Sequence, residues 1–572
     1  MIKKQAMLWV VLFLIAFTQQ ISSAETESWV KVGLDYGDTT LDAVSLESDS
    51  GFTLTGLSGG NIDLSDYETL SVEKAFLSYA SESASALSEN DKGIYHLVIG
   101  ETYSSYAEAE AVRLASAEIC EEAFPFFEKD WYLLSGNYTS SEAASEALIT
   151  LKTAHPEIKA TIAEPNFGRV LVRSGETVLL GYNASDEAAV FTAPLIQCEG
   201  TTYRSGILIK RYTNSDLTVI NQLSLSEYLY GVVPKEMGTG WPIEALKAQA
   251  VAARNYALMN LGKYSEYGFD FTTGTSSQAY GGYAAEKPDT NRAVDETKGI
   301  VLTYDGDLIQ CYYHANSGGY TEFAGNVWSS NLPYLQPVQD TYSLGYPNTD
   351  WTLSLSGAEI EQRLSAGGYE IGSLQSVRIL ERSVTGRVVK IAFDGTKSSA
   401  VLTNDRPRSI FGSTILKSML FSFDDSKAVT AVPTSWPMPG GLVALNDSNG
   451  GGGGPLDDGV GVVSGEGIYG ELSSEDVLTV FTTYGEYEEK IDRIGLLSGK
   501  TTPVETTVVP NALSYSVSEK ADLSNGTLTL YGHGYGHGVG LSQWGAKKMA
   551  ELGFTFDQIL TYYFKGTQIA YY

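Results

Sequence analysis

Glu236 is the residue whose setting best suits chemistry. It lies in Lys235-Glu236-Met237, between two segments with helical signatures. Ser224 and Glu227 have the spacing of a capping box, so a short helix is expected to start there. It is expected to stop before Pro234, because proline disfavours helix in the residue ahead of it. Pro242 suits the first position of a second helix. Ile243, Leu246, Ala250, Ala253 and Ala257 then recur at intervals of three and four, as one apolar face does. A carboxyl in a tight, glycine-flanked connection between packed helices is held firmly and partly desolvated. Desolvation favours its neutral form, which suits a general acid. The alternative is an ordinary surface-loop residue, since perturbed acids mark sites only statistically. Glu244, in the first turn of the second helix, is accounted for by the helix dipole alone. Arg254, near the face with Ala250 and Lys247, either pairs with Glu236 or Glu244 or is an exposed helix arginine.

His533 and His537 sit in GHGYGHGVG. His-x-x-x-His holds a metal when a helix puts both rings on one face. Glycine at every second position opposes a helix, and the run lacks the glycine spacing of a dinucleotide fingerprint. These glycines are expected to let the backbone pack tightly. Thr275-Ser276-Ser277-Gln278-Ala279-Tyr280-Gly281-Gly282 reads as a polar loop.

EYLYGVVPKEM followed by WPIEALKAQAVAARNYAL closely resembles the core motif of the SpoIID/LytB family, sporulation and cell-wall proteins that act on peptidoglycan. CYYHANSGGYTEFAGNVW and GHGYGHGVGLSQWGAKKMAELGFTFDQILTYYFKGTQI are similar to the family's later motifs, in the family's order. The resemblance covers most of residues 200–423 and 526–570. It implies an α+β fold with a mixed, β-rich core and helices around a central cleft. It also implies a lytic transglycosylase. Ordinary glycosidases need two carboxylates. Here one acid suffices, because the nucleophile is the muramic C6 hydroxyl of the substrate itself, at high effective concentration. Glu236 matches the family's catalytic glutamate. The resemblance places Gln278 and Tyr280 along the cleft, against acetamido groups or stacked on a sugar; a plain Ser- and Gly-rich turn explains them equally. His314 and Ser317 form a second cleft candidate. His537, Gln543 and Trp544 fall at the groove, although Trp544 also suits core packing under the final helix. Arg254 joins this substrate-binding set. Some family members bind zinc near His314 through Cys and His. Here the loop after Cys311 and His314 has no further Cys or His, and a structural zinc takes four ligands. No metal or other cofactor is expected.

The elements around these motifs read as follows. Residues 28–60 alternate as strands. YHLVIGETYSSYAEAEA (Tyr95–Ala111) and WYLLSGNYTSSEAASEA (Trp131–Ala147) are an internal repeat: strand, glycine turn, serine cap, alanine-rich helix. Each copy is followed by a further short strand, which implies a small α/β sandwich with a four-stranded, ferredoxin-like sheet. The repeat resembles a SPOR domain, a module that binds peptide-free glycan, and then exposed aromatics such as Tyr132 are expected on its sheet. A small structural α/β insertion is the alternative. The domain organisation expected is a signal peptide over 1–24, first core strands over 25–92, the SPOR-like insert over 93–165, the catalytic core over 166–424, a Gly-rich linker and β-rich insertion over 425–525, and a closing motif over 526–572. A helix is expected near Ala358–Ala366 and a hairpin across Thr385-Gly386.

The 572 residues suffice for about three or four domains. A net charge of −31 argues against nucleic acid, which needs a basic surface, and against adsorption to anionic lipid. Cys120, Cys198 and Cys311 do not make a disulfide framework and read as buried thiols. Lys3 and Lys4, the apolar Met7–Phe17 and Ser22-Ser23-Ala24 form an export signal, either cleaved or kept as an anchor. The reading is a secreted or wall-associated enzyme that cuts glycan strands to 1,6-anhydro products, with an N-acetylmuramoyl-L-alanine amidase as a functional partner. The alternative is a non-catalytic amidase enhancer or glycan binder.

Overall fold

The computed structural model describes residues 28–57, 60–75, 94–120, 122–166, 168–212, 215–328, 332–347, 349–425, 514–523 and 526–572, with four short strands between 462 and 490. The signal segment and almost all of the Gly-rich linker lie outside the described residues. The chain divides into two compact units: residues 1–239 with 260–298, and residues 240–259 with 299–572.

The first unit is built on a 15-stranded mixed sheet. Its strands are β1 (Trp29–Asp35), β2 (Ala43–Glu47), β3 (Phe52–Thr55), β4 (Ile62–Leu64), β5 (Thr69–Lys74), β6 (Tyr95–Tyr103), β7 (Phe124–Glu128), β8 (Asp130–Tyr138), β9 (Ala160–Ala163), β10 (Arg169–Ser174), β11 (Thr177–Asn183), β12 (Val190–Cys198), β13 (Thr201–Arg211), β14 (Leu217–Ser224) and β15 (Phe271–Thr272). The order is β15-β1-β14-β13-β12-β2-β5-β10-β11-β7-β8-β6-β9, with β3 and β4 branching from β12. Alternation drives this: in β2 Val44 and Leu46 are buried while their neighbours are exposed. One core runs from these strands to Trp131, Tyr182 and Phe191.

The repeat forms β6, α1 (Tyr106–Ala115), β7, β8, α2 (Ser141–Ala154) and β9. Its four strands are antiparallel, in the order β7-β8-β6-β9. Ser105 and Ser140 cap the two helices, each accepting from an amide three residues on. The repeat's glycines differ from expectation. Gly100 (φ 79°) and Gly136 (φ 71°) lie inside β6 and β8, where the pairing register shifts. They make bulges rather than turns, a use for which positive φ selects glycine. Tyr132 also differs. It is part-buried against Phe126, and its hydroxyl donates to Glu128 Oε2 (3.0 Å), so it is not an exposed sheet aromatic. The module joins the larger sheet through β7, which pairs parallel with β11.

In the second unit, α4 (Ile243–Met259) follows Pro242 directly, whose carbonyl accepts from Ala245 and Leu246. The expected single apolar face is instead burial on nearly all sides, from Ala245 to Leu258. Alanine removes bulk all round, so α5 (Gln543–Glu551), α6 (Phe556–Tyr563) and the strand Ile300–Tyr304 all pack against it. The helix Gly357–Ala366 forms where expected, with a Ser356–Glu359 capping box. The Thr385-Gly386 turn joins the antiparallel strands Leu374–Ser383 and Val388–Gly395. No helix among the described residues is long and apolar enough to cross a membrane.

Candidate active site

The helix carrying the acid is α3 (Leu225–Glu236). Its capping box is complete: Ser224 Oγ accepts from Glu227 N–H, and Glu227 Oε2 accepts from Ser224 N–H. It does not stop before Pro234, which lies inside it. Proline removes a donor only from the last turn, and next to the affected Tyr230 carbonyl the Gly231 carbonyl accepts from Gly281 N–H (3.1 Å). Glu236 is therefore the final helical residue, rather than part of a free connection. It is half-buried, and its Oε1 accepts from Ala279 N–H (3.3 Å).

The loop that supplies this amide is anchored by aromatics. Tyr280 lies on Gly231, where a Cβ would meet its ring at 2.5 Å. Its hydroxyl donates to Asn221 Oδ1 (2.7 Å) on β14. Asn221 in turn donates to the Arg204 and Gly206 carbonyls. Tyr228 stacks between Phe271 and Tyr280, with ring centroids 5.1 and 5.4 Å away, and donates to Gln278 Oε1 (3.3 Å). Gln278 and Tyr280 are thus buried, and they fix the loop that orients Glu236. Burial pushes the Tyr280 phenol up, so it stays a neutral donor.

Arg254 is 3 % exposed and donates to the Ile300 carbonyl (3.0 Å). Burial rules out the exposed helix arginine. Ser317 is fully buried and donates to Asp340 Oδ2 (2.7 Å), which also draws the Tyr563 hydroxyl through Oδ1 (2.8 Å). Both side chains are buried. Gln543 is nearly buried, with Nε2 3.4 Å from Gln249 Oε1.

His314 and His537 do come together, with ring centroids 5.6 Å apart and Trp328 against His537 at 4.9 Å. The glycine-rich loop permits this: a Cβ on Gly536 would meet His314 Cβ at 2.7 Å. Burial, then the Arg408 and Arg387 charges, pushes His537 down to about 3. Burial, then His537 and Arg387, holds His314 well below its usual range. Both rings are neutral. His537 Nδ1 accepts from Val539 N–H, so its proton sits on Nε2. His314 Nδ1 donates to the Val539 carbonyl, which leaves a buried, unpartnered lone pair on Nε2. One such nitrogen does not make a zinc site. Burial pushes the fully buried Cys311 thiol well up, away from thiolate, and no set of three or more His, Cys, Asp or Glu converges among the described residues.

Trp544 is not core. It is half-exposed at the start of α5, stacked on Tyr346 (4.9 Å) and beside Trp241 (4.7 Å), with Lys547 over all three rings. Sequence reasoning missed Trp241, Tyr346 and Lys547. Trp241 and Lys547 stand inside the quoted motifs, but nothing in their spacing pairs them.

The chain segment that carries Glu236 and its loop can now be placed. Residues 213–304 match the Stage II sporulation protein family, SpoIID. This SpoIID segment contains β14, α3, α4 and the loop through Tyr280. Residues 349–442 match a domain of unknown function, DUF8618. The chain is 32 % identical over 351 residues to the amidase enhancer of Bacillus subtilis, covering 60 % of this chain and 40 % of that protein. It is 33 % identical over 196 residues to an uncharacterized protein of Brachyspira hyodysenteriae, covering 34 % of this chain and 53 % of that one. It is 25 % identical over 401 residues to the stage II sporulation protein D of B. subtilis, covering 68 % and 85 %. The chain thus spans about half the length, or less, of the first two relatives.

Proposed function

We propose that this chain is an exported lytic transglycosylase that cuts the bond between N-acetylmuramic acid and N-acetylglucosamine in peptidoglycan, with Glu236 as its acid and base. The observation that carries the reading is the Glu236 carboxyl at the end of α3, held through Oε1 by Ala279 N–H inside the SpoIID segment. Neutral Glu236 gives its proton to the glycosidic oxygen, and the C1–O bond breaks with its electron pair on that oxygen. The resulting carboxylate takes the proton of the muramic C6 hydroxyl as that oxygen bonds to C1. A 1,6-anhydro ring closes, Glu236 regains its proton, and no water is consumed.

Purified mature chain is incubated with peptidoglycan, with and without its stem peptides, and the released saccharides are read by mass spectrometry. Anhydro-muramic ends are expected from peptide-free strands, falling about 10³-fold in Glu236→Gln with the fold intact. Hydrolysed reducing ends would exclude the mechanism. The second reading is an amidase enhancer, favoured by the similarity to the amidase enhancer of B. subtilis. On that reading Glu236→Gln leaves stimulation of a wall amidase unchanged. On either reading a SPOR-like glycan-binding role for the β6–β9 repeat is supported by its strand order but not by Tyr132, which is part-buried, and an amidase that strips stem peptides is the proposed partner.

A further inference from the structure

Lys235 stands one residue before Glu236 in the last turn of α3, and it is exposed where Glu236 is half-buried. The two side chains leave the helix about 100° apart, yet both reach the same loop. Glu236 Oε1 accepts from Ala279 N–H (3.3 Å), and the Lys235 stem lies over Gly281, two residues on. A Cβ on Gly281 would stand 3.1 Å from Lys235 Cδ and 2.6 Å from the Ala285 Cβ, so the missing side chain leaves the lysine its track. Gly281 N–H is itself fixed on the Gly231 carbonyl of α3. An acid and a cation are thereby set side by side on one strip of backbone. Charged neighbours along the strip have partners within the fold. Arg204 holds Glu286 through two bonds (2.6 and 2.9 Å), Glu227 caps α3, and Asp295 accepts from Tyr230. At the far end of the loop Lys263 donates to the Ser276 carbonyl (2.7 Å) and lies over the Tyr264 ring. Lys235 makes no hydrogen bond or ion pair with another described residue.

We propose that Lys235 is a specificity residue of the Glu236 site and pairs with the lactyl carboxylate of the muramic residue that is cut. This rests on the glycan-cleaving reading. In N-acetylmuramic acid the lactyl ether is on C3 of the same ring whose C1 carries the scissile oxygen. A group that protonates that oxygen and a group that pairs with that carboxylate must be close neighbours, as Glu236 and Lys235 are. Once the stem peptide is removed the carboxylate is anionic, and an ammonium gains a charge-assisted hydrogen bond from it. While the peptide is attached the same carbon belongs to an amide, which is neutral and offers no ion pair. The chain's net charge of −31 repels a strand that carries one carboxylate per muramic residue. A cation beside the acid is where such a residue is accepted. Lys235 therefore reads, at the ring being cut, whether the stem peptide has gone.

The test uses the full mature chain and two forms of peptide-free peptidoglycan, one with its lactyl carboxylates intact and one with them converted to neutral methylamides. Initial rates of anhydro-product release give kcat/KM on each. Wild type is expected to prefer the carboxylate strands about fivefold, the upper range for an exposed ion pair. Lys235→Met should lose that preference while its rate on methylamide strands equals that of wild type, and Lys235→Arg should keep it. Lys287→Met removes the same charge from an exposed position in the same unit and should keep it too. Both lysines are exposed, so all melting temperatures should match wild type. A preference that survives in Lys235→Met, or is lost equally in Lys287→Met, overturns the proposal. Chains carrying Glu236→Gln, with and without Lys235→Met, are sedimented with both strand forms to separate this proposal from the reading it rests on. No anhydro product from wild type, with a Lys235-dependent preference in binding, removes the transglycosylase and leaves the carboxylate site. Anhydro product with no Lys235 effect does the reverse, and neither product nor preference removes both.

Discussion

At the scale of the residue, the site is a problem of partners. The helix that carries Glu236 was legible because its cap is local in sequence, whereas the Ala279 amide that Glu236 accepts from was not. For Gln278, Tyr280, Arg254 and Ser317 a sequence shows polarity but not burial. Their partners (Tyr228, Asn221, Ile300 and Asp340) lie from 23 to 59 residues away, and each bond is found only in the folded chain. The same bonds make predictions. Tyr280→Phe removes the hydroxyl from buried Asn221 and leaves its Oδ1 without that donor. It should cost about 1–3 kcal/mol in urea unfolding. A midpoint equal to wild type would show that the bond contributes nothing.

At the scale of the element, helix α3 and its loop work as one part. Gly231→Ala would push a Cβ into the Tyr280 ring. Overpacking of this kind costs about 1–3 kcal/mol. It should also lower kcat more than it raises KM, because displacing Tyr280 carries Ala279 N–H away from Glu236. Equal kcat with lower stability would separate the loop from catalysis. The start of α3 was legible in Ser224 and Glu227, whose capping is local. Its end was not, because a proline in the last turn removes a single donor and the helix runs on to Glu236. Helix α4 shows a related limit: alanines at every spacing fit burial on one face or on all of them, and only the packed neighbours decide.

At the scale of the whole molecule, two buried groups set opposite pH trends. Burial pushes the Asp340 carboxyl from 3.8 up to about 6. A raised acid contributes stability that is complete below about 4 and is lost as pH rises through about 6. His537, lowered from 6.5 to about 3, contributes stability that is complete above about 6.5 and is lost as pH falls toward 3. Asp340→Asn should therefore remove a decline between about pH 4 and 6 from the urea midpoint profile, leaving the acid-side loss from histidine. A profile parallel to wild type would count against this. The net charge of −31 gives a second expectation: peptide-free glycan carries a lactyl carboxylate on each muramic residue, so like charges repel and retention should strengthen between low and high salt, whereas a partner held by ion pairs would be shed. The βαβ order of the repeat was legible from its two matching copies. Its merger into one large sheet was not, because strand neighbours far apart in sequence carry no local mark. That merger has a practical side. Strands β5 and β10 are antiparallel neighbours, and Ala75 N–H donates to the Arg169 carbonyl (3.0 Å) across the points where the repeat-bearing segment leaves and returns. The excursion thus begins and ends at one doorway, the width of a hairpin. A gene shortened by joining those two strands through a tight turn should still yield the remaining sheet, with a lower melting temperature because the shared core loses the repeat's side.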